Sequence, residues 1–179
     1  MKKVFVLAVL MVLISSAWAP RLVAGATGSP EEAIGNFIDQ NIGLTSQPFT
    51  LAQLRLRLHA TTKSTRQVQN PNVPGQTDRI VVLDDGKGVV VEAYVPATGA
   101  LLIQHITVTT ADRKLPAKLQ IGHSSLDDIY AAFGAGAEES KGPGGIPAKR
   151  YSNLEQTASA SFWFDHERLA GVEWTFNGD

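Results

Sequence analysis

A short helical segment bounded on both sides, Ile121 to Gly134 (IGHSSLDDIYAAFG), leaves this chain few architectures. Ser124 or Ser125 is placed to cap a helix N-terminus, and Asp127 and Asp128 sit where the helix dipole favours acids. Leu126, Ile129, Tyr130 and Phe133 follow at i, i+3, i+4 and i+7, which makes one apolar stripe. Gly134 occupies the position where a left-handed residue ends a helix. Beyond a Gly/Pro-rich loop, strand-like sequence follows it: Lys149 to Asn153, Ala158 to Asp165, and Leu169 to Phe176 beyond an Asp165-His166-Glu167-Arg168 turn.

The same layout occurs earlier in the chain. Thr50 and Gln53 form a capping-box signal before Leu51, Leu54 and Leu58. The run Leu54 to His59 also alternates with period two, as a strand would, but the cap and the lack of β-branched residues favour helix. Residues 61–78 are polar and punctuated by Pro and Gly, which predicts a long loop with one short strand near Gln67 to Asn70. Strands are expected at Arg79 to Leu83, Val89 to Val95 and Leu101 to Thr110. A Gly/Pro-rich loop over 135–148 takes the corresponding place in the second half. Leu51 precedes Leu126 by 75 positions, Tyr94 precedes Trp163 by 69, and Ile106 precedes Trp174 by 68. The repeat is one of layout, since side-chain identity between the halves is slight.

The expected fold class is therefore α+β, with two similar lobes in tandem, each a helix followed by an antiparallel sheet, and helices packed on one sheet face. A further helix is predicted over about residues 30–41, from the Ser29 cap, Pro30 at its first position, and the stripe Ala33, Ile34, Phe37, Ile38. The expected organisation is a signal peptide with its cleavage region over 1–26, a first lobe over 29–110, a linker over 111–120, and a second lobe over 121–179.

Lys2 and Lys3 before the apolar run Val4 to Ile14 read as a secretory signal, too short to span a bilayer. Ala17-Trp18-Ala19 matches the small-x-small cleavage rule but precedes Pro20, so Ser15-x-Ala17 and Ala24-x-Ala26 stay open as alternatives. The mature chain is expected to begin between Trp18 and Thr27 and to be periplasmic or secreted, with no transmembrane segment once the signal is removed. The chain has no Cys, which excludes disulfides, thiolate metal sites, a Cys nucleophile and an acylated N-terminal cysteine as lipid anchor. A formal net charge of −1 offers no broad basic field for nucleic acid.

No catalytic constellation emerges. His166-Glu167 has Ala170 where a second zinc-binding His would stand, and His59, His105, His123 and His166 fall on separate elements. Ser124 has no nucleophile elbow around it. Gly86-Lys87-Gly88 is a hairpin turn without the glycine spacing of a phosphate loop. Asp84-Asp85-Gly86 lacks the spaced acids of a calcium loop. The adjacent acids Asp84/Asp85 and Asp127/Asp128 point apart and suit a turn and a cap. Arg55, Arg57, Lys63 and Arg66 read as a solvated edge. No catalytic residue, cofactor site or metal site is expected, and the chain is not read as an enzyme.

One pattern points to recognition. Alternation in the strands puts Ala160, Phe162 and Phe164 on one face and Ser161, Trp163 and Asp165 on the other; Val172, Trp174 and Phe176 oppose Glu173 and Thr175. The same logic groups Tyr94 with Glu92, and His105 with Thr107. An aromatic on a polar sheet face anchors a protein partner, unless a terminus or loop of the chain covers it. The candidate binding residues are Tyr94, Glu92, His105, Trp163 and Glu173.

The string Ile121-Gly122, Leu126, Ile129, Phe133-Gly134, then Tyr151, Phe162, Phe164, Val172 and Trp174, resembles the β-lactamase-inhibitor-like fold, a group that includes small outer-membrane-assembly proteins of the SmpA/OmlA type. It covers residues 121–176 and extends loosely to Phe49, Leu51, Leu54 and the Val89 to Thr110 hairpin. The resemblance implies a non-enzymatic protein-binding scaffold that works through a sheet face and its loops. Two departures bear on it: the SmpA/OmlA type is lipid-anchored and the inhibitors carry disulfides, and both need cysteine. The expected function is binding of another envelope or secreted protein. The alternatives are an inhibitor or immunity protein for a secreted enzyme, and a small-ligand carrier or hydrolase with a site between the lobes.

Overall fold

A computed structural model describes residues 29–44 and 48–177. The expected signal segment and its cleavage region lie outside the described residues. The described residues form an α+β fold, with three α-helices and one eight-stranded antiparallel sheet. In chain order these are α1 (Pro30–Gln40), α2 (Leu51–Leu58), β1 (Thr61–Gln69), β2 (Thr77–Asp84), β3 (Val89–Val95), β4 (Leu102–Val108), α3 (Leu126–Phe133), β5 (Glu138–Lys141), β6 (Pro147–Ser152), β7 (Ala158–Asp165) and β8 (Arg168–Phe176). The strand order across the sheet is β1-β2-β3-β4-β8-β7-β6-β5.

The helices start where the sequence caps them. Ser29 accepts from the Glu32 N–H, Thr50 and Gln53 complete a capping box on α2, and Ser125 and Asp128 complete one on α3. The α2 segment is helical, so its capping box outweighs the period-two pattern; Leu54 and Leu58, four apart, are buried while Leu56 is exposed.

Two expected loops contain strands. Residues 61–78 hold the nine-residue β1, all of it exposed except the half-buried Val68, and the Gly/Pro-rich stretch after α3 holds β5. Both are edge strands and polar on both faces, so they carry no apolar alternation by which to read them. Each run of three expected strands is thus a run of four. The eight form one sheet, because Ile106 of β4 pairs with Trp174 of β8 and Val108 with Val172.

All three helices lie on one face. Ile34, Phe37 and Ile38 of α1, Leu54 and Leu58 of α2, and Ile129 and Phe133 of α3 share a core with Val81, Leu83, Val91, Ile106, Phe162, Val172 and Trp174. At its centre Phe37 stacks on Trp174 with ring centroids 5.2 Å apart, and meets Phe133 edge-on at 5.1 Å. The Trp174 indole N–H donates to the Phe37 carbonyl at 3.4 Å. Thus α1 packs against α3, β6 and β7, elements far from it in sequence. Between the halves, Leu115 and Leu119 flank a short 3-10 turn (Pro116–Lys118) and are both buried in the same core.

Candidate functional site

Among the described residues no helix covers the other face of the sheet. Side chains alternate along each strand, so wherever an apolar residue enters the core its neighbours emerge there. On the three central strands this brings Glu92 opposite His105, His105 opposite Thr175, and Thr107 opposite Glu173. Thr175 Oγ1 lies 3.3 Å from His105 Nδ1, and Thr107 donates to Glu173 Oε2 at 3.3 Å. All five side chains are half-buried. Arg66 reaches Glu92 from β1 at 3.6 Å; the arginine is exposed, and the pair has small energetic weight. Beyond β8, Ser159 and Ser161 are buried, and next to Ser161 in the register stands Arg150. Its Nε is buried, with no hydrogen-bond partner among the described residues. The backbone N–H groups of β3, β4 and β8 are engaged in ladders on both sides, so what this face presents is its side chains.

Tyr94 shares the face but stands at one end of it, between Ile80 and Leu102 in the register, and its hydroxyl is committed. It donates to Asp78, a carboxylate only 1% exposed. Asp78 also accepts from Asn70 Nδ2 at 2.6 Å, Gln76 Nε2 at 2.8 Å and the Ala97 N–H at 2.8 Å. Burial pushes the Asp78 pKa up, but these four hydrogen bonds to the charged form outweigh it and bring the group down to about 2. The hydrogen bond to Asp78, with burial and the carboxylate charge behind it, raises the Tyr94 phenol. The node joins β2, β3, the loop after β1 and the β3–β4 turn, and so fixes how Tyr94 is presented.

Trp163 corrects the expectation of an uncovered indole: it is 3% exposed. Its register partner on β8 is Gly171, which has no side chain, so the indole lies down across that strand; a Cβ at position 171 would collide with the ring. Gly142, in the loop between β5 and β6, closes on the other side, where a Cβ would stand 3.1 Å from the indole. Of the five residues expected at the site, Glu92, His105 and Glu173 come together, Tyr94 flanks them, and Trp163 is packing.

Asp78, Arg150 and Ser159 are not singled out by the sequence, and the alternation that puts Ser161 on this face does not show that it is buried. Asp78 has partners 16 and 19 positions away that only the fold brings to it. Among the described residues there is no group of three or more His, Asp or Glu able to hold a metal ion, and no helix is long and apolar enough to cross a membrane. Compared with known proteins, the chain matches no family model, no curated protein and no solved structure.

Proposed function

We propose that this chain is exported and acts as a non-enzymatic binding protein, and that the sheet face that no described helix covers, around Glu92, His105, Thr107, Glu173 and Thr175, receives a protein of the envelope or the extracellular medium. What carries the reading is the one-sided build: helices bury one face, while the other presents two carboxylates, an imidazole and hydroxyls on rigid central strands. Such a surface recognises a partner by matched polar groups more than by apolar area. Tyr94, held by Asp78, and the neighbouring Leu102, 46% exposed, add apolar contact at one end. Trp163 has no part in the contact and is left out.

The reading includes a tandem repeat. Residues 51–108 run helix then four antiparallel strands, residues 126–176 do the same, and the last strand of each is the seam. The resemblance to the β-lactamase-inhibitor-like fold is compatible with this order and stays part of the proposal, as does the signal peptide.

The test is a photo-crosslinking side chain placed at His105, with a matching one at Glu31 on the helix side, in cells that produce the protein. One discrete partner from position 105 and none from 31, lost in Glu92→Lys/Glu173→Lys, is the expected result. Equal products from both positions, or none from 105, reject the face. Mass spectrometry of the mature protein checks export, with a first residue expected between Trp18 and Thr27.

A further inference from the structure

A cleft of about 560 Å³ opens on the helix side, between the start of α3, strands β5 and β6, and the β7–β8 turn. Its volume falls in the range of small-molecule sites. Leu126, Pro147 and Phe164 form apolar walls, and Asp127, Glu139, Glu167 and Lys149 are the charged groups that line it. Lys149 occupies an inward register position on β6, opposite Phe162 and two residues from the buried Tyr151, where the alternation calls for an apolar residue. Its ammonium pairs with Glu139 on β5. That pairing neutralises one of the three carboxylates. Among the described residues neither Asp127 nor Glu167 pairs with a cation: Arg168 donates to the His123 carbonyl and its charge acts on Asp128. Counting side chains, the cleft therefore combines apolar walls with an excess of two negative charges, of which Asp127 also faces the positive end of α3.

We infer that this cleft binds a small organic cation, an ammonium on an apolar body. The body lies against Phe164, Leu126 and Pro147, and the ammonium turns toward Asp127 and Glu167. Lys149, held in its pair with Glu139, closes the inner wall against a second cation. The cleft lies across the sheet from the proposed partner face, so the two ideas stand or fall separately.

The probe is protonated phenethylamine, with 2-phenylethanol as its uncharged counterpart, titrated into the purified chain at low ionic strength and followed by amide NMR shifts. The expected result is saturable binding with a dissociation constant on the order of a millimolar, with shifts at residues 125–127 and 164–167. The amine binds about fivefold tighter than the alcohol, and that preference is lost in Asp127→Asn/Glu167→Gln. Both positions are exposed, so the double variant keeps its fold, which circular dichroism checks. Phe164→Ala weakens both probes together. No saturable binding, equal affinity for amine and alcohol, shifts centred elsewhere, or a preference that survives the double variant overturns the inference.

Discussion

At the scale of single residues, the groups that matter most are buried ones whose partners are distant in sequence. Asp78 is the clearest. Its folded-state pKa lies below that of an unfolded aspartate, so the stability it contributes is complete above about pH 4. That contribution is lost as pH falls toward about 2. Asp78→Asn should lower the melting temperature by several degrees at neutral pH and flatten its dependence between pH 4 and 2; melts across that range check both. Tyr151 behaves in the opposite sense. Burial, helped by the charge of Tyr130, raises its phenol to about 12, and its hydroxyl donates to the Gly134 carbonyl at 2.6 Å. A raised pKa contributes stability below the unfolded value of about 10 that is lost as pH climbs toward 12. Tyr151→Phe should remove that alkaline loss, at a cost of about 1 kcal/mol for the missing hydrogen bond. Trp163 and Gly171 act as a pair. Trp163→Ala should destabilise by about 3–5 kcal/mol through the cavity it leaves. Gly171→Ala should cost about 1–3 kcal/mol by forcing the indole away; urea unfolding midpoints measure both.

At the scale of elements, local chemistry and local structure agree closely. Removing the α3 cap with Ser125→Ala should cost about 1 kcal/mol, read from the urea midpoint, because the Ser125 hydroxyl and the Asp128 carboxylate satisfy each other's backbone N–H groups. The helix starts at Pro30, Leu51 and Leu126 were legible because capping is written within four residues. The inner strands were legible because burial on one face imposes alternation on Val89–Val95, while Ala158–Asp165, buried on both faces, still alternates Ser with apolar residues over its first half. The edge strands were not. A strand exposed on both faces has no pattern to give, and β1 shows the devices that discourage edge pairing: Lys63, Arg66 and a bulge between Thr62 and Ser64. Alternation puts the Trp163 indole on the correct face but does not say what lies above that face, and the loop carrying Gly142 packs against it.

At the scale of the whole molecule, one core serves both halves of the chain. Phe37 of α1 is wedged among Phe133, Phe162 and Trp174, all from the C-terminal half, and Ile106 meets Trp174 across the seam. Residues 29–110 and 121–177 made as separate chains should each lack a cooperative thermal transition and recover one when mixed; circular dichroism melts of each fragment and of the mixture check this. The physical ground is exposure, since either fragment leaves an apolar strand edge and part of a shared aromatic cluster in water. Of the candidate face, Glu92, His105 and Glu173 were readable because strand parity alone puts them on the side away from the core. That Glu173 joins the other two was not, because it depends on β4 pairing with β8 across 66 to 70 positions of sequence.

By itself the sequence determined the secondary elements with strong local signals, the direction in which most side chains point, and the absence of cysteine chemistry. These are consequences of interactions between residues a few positions apart, or of composition. Tertiary structure alone decided that the strands form a single sheet, that α1 lies over the second half, that Asp78 ties four segments together and that the Trp163 indole is enclosed. Each of these depends on which distant surfaces meet, and that is set by the shared burial of a core to which no single segment holds enough apolar area.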